Sequence, residues 1–252
     1  MSASGWLWLT TAIMLIGGLG ILLTGKRRTK AEELQTVLHG IVPIIAACSY
    51  FAMATGQGAV ILPFHTAAAP IDGTRIFYFA RYIDWAFTTP LLLVSLAYTA
   101  MHAGSKRTGA IVGIVLADVV MIVTSFFFGA SEIPSLKWIW FLISCVAFIG
   151  VYYVIWVSLM QANHEERDDV QTVYRRNAMI LSVIWLIYPL VLLVSPDGLY
   201  VVSDTAAIVF ILILDVAAKV VYGFMSIASD TKITDRDLSE VYTAPVAGRA
   251  AR

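Results

Sequence analysis

Seven stretches of about twenty mostly apolar residues follow one another along this chain, and their length fixes the solvent they fold in. They fall near 4–25, 35–56, 76–101, 108–129, 135–161, 173–195 and 201–228. Each is long enough to cross a hydrocarbon core of about 30 Å as a helix. Lipid offers the backbone no hydrogen-bond partners, so a spanning segment of this length has to satisfy its own, as a helix does. A mean hydropathy of +0.80, with 13% of the 252 residues charged, agrees with a polytopic membrane protein. The formal net charge is zero, which gives no electrostatic pull toward nucleic acid. The opening "MSASGWLWLT" lacks the basic start and small-residue cleavage site of a signal peptide, so the first stretch is read as a helix of the bundle.

The expected fold class is therefore an all-α membrane protein, a seven-transmembrane-helix bundle over 1–228, with a polar and disordered cytoplasmic tail over 229–252. Lys26, Arg27, Arg28, Lys30, Lys106, Arg107, Arg167, Arg175 and Arg176 all lie at one side of the spans, against only Arg75 and Lys137 at the other. Positive residues stay inside, which predicts an extracellular N-terminus and a cytoplasmic C-terminus. The longest outer connection, "GQGAVILPFHTAAAPIDGTR", puts β-branched residues around turn formers and predicts a small hairpin.

Against this apolar background stand His39, Arg81, Asp84, Asp118, Asp215 and Lys219, all within the predicted spans. A charge at mid-membrane costs roughly 2.5–3.5 kcal/mol even on a lenient insertion scale. Asp215 and Lys219, in "LDVAAK", are four residues apart and share a helical face. They make either a buried structural ion pair or a reactive amine with its counterion, since a buried lysine is the residue that forms Schiff bases with aldehydes. Arg81 and Asp84 share a face three residues apart, and together with Asp215 and Lys219 would form one cluster of cancelling charges. Thr88, one turn on, could hydrogen-bond the Asp84 carboxylate. Ser95 is two turns further, roughly 10 Å by helical rise. The polar line through Arg81, Asp84, Thr88 and Ser95 suggests a proton or ion path.

Tyr82, Trp85, Trp138, Trp140, Trp185 and Tyr188 gather at a similar depth, either as ordinary core or around a cavity for a flat apolar cofactor. Pro189 in "IWLIYPLV" favours the second by bending its helix there. Cys48 and Cys145 lie in apolar segments and are read as small hydrophobes, with no redox or metal role.

"RYIDWAFTTPLLL" and "LDVAAK" together resemble the microbial rhodopsins, the seven-helix retinal proteins, and the resemblance covers the chain from the first helix through the seventh. It implies retinal bound as a protonated Schiff base on Lys219, Asp84 as proton acceptor, Asp215 as second counterion and Arg81 as the gate toward the outside. It places Trp85, Leu92, Met121, Trp140, Ser144, Trp185 and Tyr188 around the retinal, beside Tyr82, Thr89 and Asp118. Tyr50 and Tyr188 match tyrosines that hydrogen-bond the second counterion, and Asp118 matches a protonated aspartate that bonds across to Thr89. Leu92, at the family's spectral-switch position, leans toward green absorption.

The resemblance also reads ion specificity from a helix C triplet, here Asp84, Thr88 and Ser95, which looks like an outward proton pump. Ser95 departs from the efficient pumps, which place a carboxylic acid there to reprotonate the Schiff base. His39 lies at similar depth, and its imidazole exchanges protons near neutrality. It is either a satisfied polar residue near the interface or the replacement donor, hydrogen-bonded to Ser95. The slower alternative for the whole protein is a sensory photoreceptor. The histidine that partners the counterion in the proteorhodopsin branch is Ser49 here; His65, His102 and His164 are given no role. Asp197 matches one release carboxylate but the other position is Ala207, with Asp204 a turn away, so early proton release is not expected. Phe141 replaces the glycine that opens a window for an antenna carotenoid, so no antenna is expected. The remaining expectations are a transporter that is not an enzyme, no bound metal, a homo-oligomer (trimer or pentamer), and residence in the bilayer of a bacterial inner membrane.

Overall fold

The computed structural model describes residues 2–64 and 73–243. Helix α1 spans Ala3–Thr24, α2 Lys30–Ala54, α3 Phe79–Ala100 and α4 Thr108–Ala130. Helix α5 runs from Pro134 to Asn163 with a π-helical turn at Val154–Leu159, and α6 spans Asp168–Val194. Helix α7 comprises Asp204–Asp215, a π-helical turn at Val216–Val221 and a continuation over Tyr222–Thr243. All seven are long and apolar enough to cross a membrane.

Local chemistry sets the ends. Ser2, Thr29 and Ser203 cap α1, α2 and α7 by accepting from the backbone amides of Gly5, Glu32 and Ala206. Pro134 opens α5, where its missing N–H costs nothing. The apolar counts underestimated α2 and α6 at their starts because their first turns carry Glu32, Glu33, Asp168 and Asp169, which favour a helix N-terminus.

The helices pack in sequence order, α1 on α2, α2 on α3, α3 on α4 and α4 on α5, and α7 closes the ring against α1 and α2. The α1–α2 approach is close at Gly18, where a Cβ would come within 2.7 Å of Ile44 and 2.9 Å of the Gly40 carbonyl. Tyr174 joins α6 to α5 by donating to the Ile155 carbonyl at 2.5 Å, inside the π-helical turn. Ile16, Leu23, Phe87 and Val146 point outward, as a lipid-facing surface requires.

The expected hairpin is present: β1 (Val60–Phe64) pairs antiparallel with β2 (Gly73–Phe77), with Val60 opposite Phe77. The residues joining the strands, His65 among them, lie outside the described residues. Two residues that the apolar count placed in the third span, Ile76 and Phe77, belong to β2.

The tail requires a correction. Helix α7 does not stop near 228 but continues to Thr243, and residues 244–252 lie outside the described residues. Polar composition suggested a solvated segment; instead it is pinned by ion pairs from other parts of the chain. Arg28 reaches Asp235 at 2.5 Å, His102 reaches Asp237 at 2.8 Å and Arg167 reaches Asp237 at 2.7 Å, while Ile233 is buried. The bundle thus has a basic end, where these pairs gather, and a hairpin end.

Candidate functional site

Lys219 lies in the π-helical turn of α7, fully buried, with its Nζ against Asp84 Oδ2 of α3 and 3.3 Å from Asp215 Oδ2. Such turns are frequent at functional sites. Asp215 is also held by three donors: Tyr50 at 2.8 Å, Tyr188 at 2.6 Å and the Trp85 indole at 3.3 Å. Asp84 is held less: its Oδ1 has no hydrogen-bond partner. The two carboxylates therefore differ. One has its lone pairs occupied, and the other keeps a free oxygen beside the amine, where it can take a proton.

Thr88 donates to the Asp84 backbone carbonyl at 2.8 Å, the usual back-bond of a helical threonine, and its hydroxyl also stands beside the Asp84 carboxylate, as expected. One detail of the expected polar line needs correcting. Arg81 is buried but forms no ion pair with Asp84 or Asp215 among the described residues. Its guanidinium sits 5.6 Å from the Tyr78 ring centre, a turn nearer the hairpin end.

A cavity with the Lys219 amine in its wall opens from this cluster into the bundle. Of the expected pocket residues, Trp85, Thr89, Leu92, Met121, Ser144, Trp185 and Tyr188 all line it. Trp140 does not: its ring packs on Phe127 at 5.0 Å, and the neighbouring Phe141 lines the cavity instead. One residue on a helix is about 100° of rotation, enough to turn a side chain from cavity to flank. Cys145 also lines the cavity, whereas Cys48 is exposed on the bundle surface. Tyr50, Tyr82 and Asp118 stand behind the cavity wall. Tyr82 packs edge-on to Trp85, and Asp118 accepts from Thr89 at 2.7 Å.

Toward the basic end, Ser95 Oγ lies 2.8 Å from His39 Nε2 and donates to Gln35 Oε1 at 2.5 Å. Gln35 in turn donates to the Ser95 carbonyl and to Thr99 Oγ1, each at 3.2 Å. All of these groups are buried. Gln35 was missed by the sequence reading, since an amide near a helix start carries no titratable signal and its partners lie sixty residues away.

Toward the hairpin end, Arg75 on β2 pairs with Asp197 at 2.5 Å and donates to the Gly129 carbonyl; Tyr82 donates to Asp197 at 3.2 Å. Burial pushes the Asp197 carboxyl up, opposed by Arg75, Arg81 and Lys137. Asp204 does not join this group; it accepts from Tyr200 at 3.2 Å. Ala207 is buried and brings no titratable group. Among the described residues no group of three or more histidine, cysteine or acidic side chains is arranged to hold a metal ion.

A buried amine, two unequal carboxylates and an aromatic cavity form a donor set suited to an aldehyde that becomes a cation on nitrogen. The comparisons agree with this geometry. Archaerhodopsin-2 from Halobacterium sp. (strain aus-2) is 32% identical over 237 residues, covering 93% of this chain and 88% of the relative. Bacteriorhodopsin from Halobacterium salinarum is 31% identical, covering 89% and 83%. A thermophilic rhodopsin from Rubrobacter xylanophilus superposes with a TM-score of 0.83 at 33% identity, covering 93% of this chain and 98% of that one. A light-driven proton pump from Leptosphaeria maculans gives 0.80 at 28%, covering 92% and 96%. Residues 1–233 match the bacteriorhodopsin-like proteins as a family, and the chain belongs to it.

Proposed function

We propose that this protein is a light-driven outward proton pump. The observation that carries the reading is the Lys219 amine, buried in the cavity wall between a free-oxygen carboxylate, Asp84, and a fully engaged one, Asp215. Retinal, held on Lys219 as a protonated Schiff base, would supply the light absorption and isomerisation. Trp85, Leu92, Met121, Trp185 and Tyr188 would hold it flat, and their apolar faces suit a polyene.

Asp84 takes the proton from the Lys219 nitrogen, because its Oδ1 is unengaged while the oxygens of Asp215 are already occupied by Tyr50, Tyr188 and Trp85. His39 returns a proton to that nitrogen from the opposite side, positioned by Ser95. Direction follows from this order: the acceptor lies toward the hairpin end and the donor toward the basic end. With the basic end in the cytoplasm, as the lysine and arginine count favours, transport is outward. The same reading makes the protein a multi-pass transporter, not an enzyme, in a bacterial inner membrane. A homo-oligomer and a carotenoid-free site, closed by Phe141, belong to it as well.

One observation favours a second reading: Ser95 cannot donate a proton near neutral pH, so a slow cycle would suit a sensory photoreceptor. The deciding experiment is the external pH of illuminated cells expressing the protein with retinal, with and without a protonophore. Acidification abolished by the protonophore supports the pump. A pigment that bleaches and recovers with no pH change overturns it in favour of the sensor.

A further inference from the structure

A second cavity, of about 260 Å³, lies at the basic end between α2, α3 and the extension of α7. That volume holds several waters at about 30 Å³ each. Glu32, Gln35, Thr99, His102, Asp230 and Thr234 line it. Most of its charged groups are already engaged. Arg28 holds Glu32 at 2.6 Å, Asp237 holds His102 at 2.8 Å, and Lys106 is bound by the Met101 and His102 carbonyls.

Asp230 is different. It is 8% exposed, and its Oδ2 has no hydrogen-bond partner. A buried carboxylate oxygen without a donor is costly unless it serves a purpose or meets water. The far wall of the cavity is Gln35, whose amide bonds both Ser95 and Thr99. Behind Gln35 is His39, whose Nδ1 is likewise buried without a partner. His39 packs against Tyr222, ring centres 5.6 Å apart, and against the Gly223 backbone. Asp230 is seven residues from Gly223 on the same helix, about 10 Å along the axis.

We propose that Asp230 collects protons from solvent at the basic end and reloads His39 through this cavity, with Gln35 as the gate between them. The proposal rests on the reading of His39 as donor. The carboxylate of Asp230 takes a proton from solvent and becomes neutral. It passes that proton through cavity water to a ring nitrogen of His39, so Asp230 is again a carboxylate and His39 an imidazolium. His39 then gives a proton to the Lys219 nitrogen and returns to neutral. Gln35 cannot relay a proton by titrating, so its bond to Ser95 Oγ has to open for water to reach the imidazole. The charged and titratable groups facing Asp230 are Glu32 and Lys30 on α2, His102 and Lys106 between α3 and α4, and Arg176 on α6.

The test uses the full chain with retinal in lipid nanodiscs, comparing the parent with Asp230→Asn, Asp230→Glu and His39→Ala. A pH-indicator dye reads proton uptake, and transient absorbance reads the return of the proton to the Lys219 nitrogen. Asp230→Asn is expected to slow uptake about tenfold at pH 8 and to make its rate follow proton concentration, while Asp230→Glu and added azide restore it. If Asp230→Asn keeps the parent rate and pH profile while His39→Ala slows, the Asp230 proposal is overturned and the His39 reading stands. If neither variant slows, both are overturned. If Asp230→Asn slows and His39→Ala does not, the relay through His39 is overturned. Should Asp230→Asn form no pigment, Asp230→Ser with and without azide gives the same decision.

Discussion

His39 Nε2 and Ser95 Oγ, fifty-six residues apart in sequence, lie 2.8 Å from each other in the interior of the bundle. In the proposed function the imidazole supplies the titratable group that the Ser95 hydroxyl lacks. His39→Ala is therefore expected to slow proton return to the Lys219 nitrogen by on the order of 10²-fold, the usual worth of one positioned acid or base. Ser95→Asp in the same background should recover most of the rate. Flash absorbance across pH 5–9 on the two variants checks both, about the range in which a histidine titrates; an unchanged rate in His39→Ala sinks the donor assignment.

Asp84 and Asp215 predict an unequal pair of mutants. Asp84→Asn removes the acceptor with the free oxygen, so light-driven acidification should disappear. Tyr188→Phe removes one of three donors to Asp215 and should leave pumping in place at a cost of about 1 kcal/mol in stability. Proton transport and thermal bleaching, measured side by side, separate the two effects. Equal transport by Asp84→Asn and the parent would remove Asp84 from the path.

Asp118 holds α4 to α3 through Thr89, and the proposed function gives it no part in moving the proton. Asp118→Asn keeps an oxygen to accept that bond and should be nearly neutral. Asp118→Ala leaves the Thr89 hydroxyl without this acceptor, and should cost about 1–3 kcal/mol in stability with little change in transport rate. Bleaching midpoints for the two variants decide it.

Arg75→Gln breaks a buried ion pair and leaves Asp197 without its strongest partner, a change worth about 3–5 kcal/mol. The effect depends on pH. A folded-state carboxyl raised above its unfolded value holds its proton more tightly when folded. Its contribution favours the fold in acid and is lost as pH rises from the ordinary carboxylate range through the folded value. Losing Arg75 lifts Asp197 further, so the variant should be penalised less at about pH 4 than at about pH 7. Bleaching temperatures of parent and variant at the two pH values are the measurement. A penalty independent of pH would show that Arg75 acts by packing alone.

The seven spans and the Asp215–Lys219 pair were legible because each depends on spacing within one segment: twenty apolar residues, or four residues on one face. The meeting of His39 with Ser95 was legible from depth, since both lie within three turns of the same end of their helices. What escaped depends on rotation or on distant partners. Trp140 and Phe141 differ by one position, and only packing decides which of them faces the cavity. Arg75 finds Asp197 across 122 residues, and Gln35 finds Ser95 across sixty. The polar run after Ser229 looked like a solvated tail because its partners, Arg28, His102 and Arg167, lie on other segments.

The cavity beside Asp230 also determines where an electrical potential across the membrane acts. In the proposed relay, water in that space would carry the dielectric of the solvent inward as far as Gln35, with the buried Arg75–Asp197 pair standing at the opposite end. Most of the voltage would then fall between His39 and the hairpin. A charge crossing the full drop does work of about 2.3 kcal/mol per 100 mV. Filling the cavity should be nearly indifferent to voltage. The passage from His39 to Lys219 and out beyond Arg81 should bear almost all of it, so an energised membrane brakes the protein in its dry half.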